Sequence, residues 1–116
     1  MTARWKIIYY KSASGNFQVK EFIDSLGDVP KARVYNTLEL ITEFGVNLGL
    51  PRAKKVTATS LWELRILGEK SIRIFYIART GKKFLLLHVF TKKRQKTPIK
   101  EIKTALARLR DYEKHN

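Results

Sequence analysis

A chain of 116 residues that is 44% hydrophobic, with only six glycines and three prolines, can bury one core and is too apolar to stay disordered. It has no cysteine, which excludes disulfides, iron–sulfur clusters and thiolate zinc sites. Its 24 Lys and Arg against 10 Asp and Glu give a net charge of +14, a self-repulsion that a polyanion or an acidic partner would relieve.

Residues 5–10 are rich in β-branched and aromatic side chains and predict a first strand. Residues 12–16 have turn composition. A short helix is expected next, with Val19, Phe22, Ile23 and Leu26 on one stripe and Gly27 as its stop. Pro30 falls in the first turn of a second helix, lined by Val34, Leu38, Ile41 and Phe44 and ended by Gly45, so the two helices form a hairpin. Residues 45–60 show little periodicity and read as a basic loop carrying Arg52, Lys54 and Lys55.

Three strand-like runs follow, 61–67, 71–79 and 83–90, separated by Gly68-Glu69 and Thr80-Gly81, which predicts an antiparallel meander. Residues 91–96 form a charged connector. Thr97-Pro98 then reads as an N-cap with a first-turn proline, and Ile99, Ile102, Leu106 and Leu109 stripe a last helix. The order β-α-α-β-β-β-α predicts one α+β domain over 1–116. It has an antiparallel or mixed sheet, a helical hairpin and a carboxyl-terminal helix.

No apolar run approaches the roughly 20 residues that span a bilayer, and no membrane partner is expected. The first ten residues lack the h-region and cleavage site of a signal peptide, so the expected location is the cytoplasm. The basic excess is uneven: fifteen of the 24 basic side chains lie in 61–116.

Strand alternation puts Glu63 and Arg65 on one face with Leu61 and Leu67, and Trp62, Leu64 and Ile66 on the other. In the next strand Arg73 shares a face with Phe75 and Ile77, opposite Ile72, Ile74, Tyr76 and Ala78. A hairpin centred on Glu69 places Arg65 directly across from Arg73. Like charges opposed on a sheet are destabilising. Two readings follow: an anion such as phosphate lies between the guanidiniums, or Glu63 neutralises one of them and water serves the other.

Downstream, Lys92, Lys93, Arg94 and Lys96, with Lys100 at the start of the last helix, join mobile cations to the unpaired N–H groups of a helix N-terminus. That composition suits a phosphate backbone, and Lys54 and Lys55 add a third basic segment. His88 lies in an apolar strand, where a hydrogen-bonded structural role competes with acid–base work. His115 belongs to the tail. Metal-ligand spacing, glycine-rich phosphate loops, nucleophile elbows and paired carboxylates are all missing from the sequence. Action on RNA would then need no metal and no other cofactor. The substrate 2′-OH attacks the adjacent phosphate, Lys or Arg stabilises the developing charge, and His, Lys or Tyr moves the protons. Tyr76, Phe90 and Trp62 either stack on bases or fill the core.

The series Leu61-Trp62-Glu63-Leu64-Arg65, Ser71-Ile72-Arg73-Ile74-Phe75-Tyr76, Leu87-His88-Val89-Phe90-Thr91-Lys92-Lys93 and Lys96-Thr97-Pro98 is followed by Glu101-Ile102, Ala105 and Arg108. Together these resemble the HigB-type, phage-associated branch of the RelE/ParE toxin superfamily, over about residues 5–110. The resemblance implies the toxin of a type II toxin–antitoxin pair, a metal-independent endoribonuclease that cuts mRNA on the ribosome. It also implies a helix-turn-helix antitoxin of the HigA type as inhibitor, with operator DNA bound only through that complex. Arg65 and Arg73 would take phosphate-binding and transition-state roles. Lys92, Lys93 and Lys96 would contact RNA or ribosome with a share in catalysis, and Tyr76 and His88 would participate. Lys54, Lys55, Arg94 and Lys100 complete the expected RNA- or ribosome-binding set. The ParE branch shares the fold and targets DNA gyrase, so a gyrase inhibitor stays open. So does a non-catalytic basic nucleic-acid-binding module.

Overall fold

The structure is a computed structural model that describes residues 4–68, 70–93 and 96–115. Its elements are β1 (Lys6–Tyr9), α1 (Gln18–Asp24), α2 (Asp28–Phe44), a 3-10 turn (Gly45–Asn47), β2 (Ala53–Lys55), β3 (Trp62–Ile66), β4 (Ile72–Arg79), β5 (Lys83–Thr91) and α3 (Ile99–His115). The five strands form one sheet in the order β1-β5-β4-β3-β2. β1 runs parallel to β5 and every other pair is antiparallel, so the sheet is mixed and the fold α+β, as expected.

Period-two alternation splits the apolar side chains between two layers. One face, with Leu64, Ile74, Tyr76, Phe84 and Leu86, packs under the α1–α2 hairpin through Val19, Ile23, Val34, Leu38 and Ile41. The other, with Leu61, Phe75, Ile77, Leu85, Leu87 and Phe90, packs under α3 through Ala105 and Leu109. Of the expected stripe of the last helix, Ile102, Leu106 and Leu109 pack in this layer, while Ile99 is 69% exposed and Ala105 adds a fully buried contact. Ile99 opens α3 in its first turn. Gly45 ends α2 with φ +61, and a Cβ there would run into the Trp5 indole, so both backbone freedom and space call for glycine.

Two local features depart from the sequence reading. Residues 53–55 are a strand rather than loop, pairing Ala53 with Leu64, Lys54 with Glu63 and Lys55 with Trp62. The second is a bulge. The β4–β5 register passes from Phe75↔His88 to Tyr76↔Leu86, leaving Leu87 without a partner on β4. Strict alternation would turn His88 to the hairpin face with Phe84 and Leu86. The extra residue re-aims it toward α3 instead. No helix among the described residues is long and apolar enough to cross a membrane.

Candidate functional site

β2 brings Lys54 opposite Glu63, and β3–β4 pairing brings Arg65 opposite Arg73, so a charged patch forms at the β2 edge of the sheet. The chain leaving β5 returns past this patch before α3 begins. Five of the expected site residues, Lys54, Lys55, Arg65, Lys92 and Lys96, line one groove of about 530 Å³ there, with Val56, Thr57, Glu63 and Thr97. Three separate segments of the chain thus share one wall.

Glu63 is the centre of the site. Its carboxylate is buried, and Oε2 accepts a hydrogen bond from Arg65 Nε at 3.3 Å while Arg73 Nε lies 3.5 Å away. Its Oε1 accepts from the Thr97 hydroxyl at 3.2 Å. The anion between the two arginines is therefore this carboxylate, which serves both guanidiniums rather than one. From the sequence, Glu63 stands only as a partner of one arginine and Thr97 only as a helix cap. The signal for Glu63 was its i, i+2 spacing from Arg65 on a strand, which fixes a shared face. Nothing local in the sequence linked Thr97 to it.

Arg73 lies behind the groove rather than in its wall. Its Nη1 donates to the Ile72 carbonyl at 3.2 Å, and its Nε is buried without a hydrogen bond. Burial lowers its pKa, Glu63 raises it, and the Arg65 charge lowers it further. Arg65 is the arginine that reaches the groove.

His88 sits one row away, paired across the sheet with Phe75. Its Nε2 lies 2.9 Å from Glu101 Oε1, and Arg108 Nη1 donates to its Nδ1 at 3.2 Å. An arginine only donates, so Nδ1 is the bare nitrogen and Nε2 carries the proton. Burial pushes the His88 pKa below 6.5, partly countered by the Glu101 hydrogen bond. Arg108 Nη1 also donates to the Leu87 carbonyl at 2.9 Å, satisfying the bulged residue. Both ring nitrogens thus clamp β5 to α3, the hydrogen-bonded role that competes with acid–base work for His88.

Tyr76 lies away from the groove. It is buried on the hairpin face, edge-on to Phe84 with ring centroids 5.4 Å apart, and burial pushes its pKa up to about 12. The sheet separates it from the groove. Phe90 is likewise core. Trp62 is half-exposed, and Lys55 Nζ lies 5.6 Å above its ring. Lys93 and Lys100 are exposed outside the groove wall. Arg94 lies outside the described residues.

No group of three or more His, Cys, Asp or Glu that could hold a metal occurs among the described residues. No curated protein matches the chain. The family model described as Phage derived protein Gp49-like (DUF891) matches residues 21–110, from within α1 to within α3. With most of its length covered, groove and clamp included, the chain belongs to this Gp49-like phage-derived family of RelE/HigB-type toxins.

Proposed function

We propose that the chain is the toxin of a type II toxin–antitoxin pair and cleaves mRNA on the ribosome. The observation that carries this reading is the convergence of Lys54, Arg65, Lys92 and Lys96 on one groove. Phosphate contacts of this kind hold and orient a nucleic-acid backbone without reading bases. Arg65 is anchored through Nε by Glu63, and its Nη edge is the one that grips a phosphate in two places. The lysines neutralise the neighbouring phosphates and the charge that builds on phosphorus when the 2′-OH attacks.

The antitoxin in this reading is a helix-turn-helix protein of the HigA type. Operator DNA is reached only through the complex, and the site of action is the cytoplasm. The +14 charge makes an acidic surface on the inhibitor the natural complement. Inducing the chain without its antitoxin and mapping transcript ends tests the proposal. New 5′ ends within translated messages are expected, and their loss when translation is blocked. Growth arrest with intact messages overturns it, and altered DNA supercoiling in that case marks a gyrase poison.

A further inference from the structure

Attack by a 2′-OH needs a group that takes its proton. Among the described residues lining the groove, the ionisable side chains are Lys54, Lys55, Arg65, Lys92, Lys96 and Glu63. Lysine and arginine in their charged forms only donate, which leaves one proton acceptor. Of the other residue types suggested by the sequence, the groove lysines are donors in their charged form, while His88 has both nitrogens engaged by Glu101 and Arg108 and Tyr76 lies across the sheet.

We propose that Glu63 is the general base of the reaction, taking the proton of the 2′-OH at the scissile nucleotide; the assignment rests on the ribonuclease reading above. The geometry fits the task. A carboxylate offers about four acceptor positions. Thr97 takes one on Oε1, and the Arg65 and Arg73 side chains crowd Oε2. An acceptor position on Oε1 is left for a substrate hydroxyl. Arg65 beside it fixes the phosphate next to the base, so nucleophile and electrophile are set by one ion-pair cluster.

In the balanced step, the 2′-OH proton passes to Glu63 as the 2′-oxygen–phosphorus bond forms. The phosphorus–5′-oxygen bond breaks, and the leaving oxygen takes a proton from Lys92 or Lys96. The products are a 2′,3′-cyclic phosphate and a 5′-OH end. Proton exchange with water restores the carboxylate and the ammonium.

The test uses the full chain with programmed ribosomes. Single-turnover cleavage is compared with affinity for the same message carrying a 2′-deoxy nucleotide at the cut site. Glu63→Gln is expected to slow cleavage by roughly 10²–10⁴-fold. Affinity for the uncleavable message should fall far less than the rate. Glu63→Asp keeps the charge between the arginines but withdraws the carboxylate by one methylene. It should hold the fold where Gln does not, and still cleave far more slowly than the wild type. Cleavage by either folded variant at the wild-type rate overturns the base role. So does a loss of affinity as large as the loss of rate, which marks a positioning role. A wild-type chain that leaves the message intact overturns the ribonuclease reading itself and the base role with it.

Discussion

Arg65 and Arg73 oppose each other across β3 and β4, and the carboxylate that reconciles them is buried beside both. The pair divides its labour by exposure: the Arg65 side chain is 28% exposed and that of Arg73 17%, with Arg73 Nε fully out of reach of water. Removing Arg73 leaves a buried charge short of a partner, so Arg73→Met should cost about 1–3 kcal/mol of stability. Arg65→Met should cost less stability and more RNA affinity. Denaturation midpoints and RNA titrations on the two variants check this, and equal effects on both measurements would refute the division. The facing of the arginines was legible in the sequence, because a turn centre and a period of two suffice to derive it. The sharing of Glu63 was not. Alternation fixes the face of a side chain but not how far it reaches sideways, and Thr97 lies 34 residues away.

Elements explain the rest of what sequence did and did not reveal. The helices and long strands follow from periodicity, and Gly45 marked the end of α2 where the backbone turns to positive φ. β2 escaped because three residues carry no period, and Gly49 and Pro51 just before it signal a loop. Yet this strand alone sets Lys54 opposite Glu63. The β5 bulge escaped for a similar reason: one extra residue in an all-apolar run leaves no mark. Its result is the His88–Glu101–Arg108 clamp between β5 and α3, which has a pH consequence. Burial lowers the folded-state pKa of His88 below its ordinary 6.5. Above pH 6.5 the ring is neutral both folded and unfolded, and the clamp keeps its full strength. As pH falls through 6.5 toward the lowered value, the unfolded chain binds more protons and stability is lost. Melting temperature should therefore drop on acidifying from pH 7 into that window, and His88→Gln should flatten the drop. An unchanged profile in the variant would place the dependence on other groups.

At the scale of the molecule, a net charge of +14 says only that some anion is wanted. The fold gives that charge an address, by bringing Lys54, Arg65, Lys92 and Lys96 to one sheet edge. RNA binding should accordingly weaken steeply with salt, each neutralised phosphate contributing about −0.7 to the log–log slope on a single strand. Lys54→Ala and Lys96→Ala should each make the slope shallower by about that amount. Titrations across a salt series measure it, and an unchanged slope would assign those lysines to a solvated face. β1 lies parallel to β5 with Lys6 beside Lys83, so β1 stays without a strand partner until β5 has been synthesised. At roughly 5–20 residues per second, its apolar residues wait about 4–15 s on a growing chain. The groove closes later still, since its wall needs Lys96 and Thr97. Under the ribonuclease reading proposed above, a nascent chain cannot cut the message that encodes it until Lys96 and Thr97 have been made.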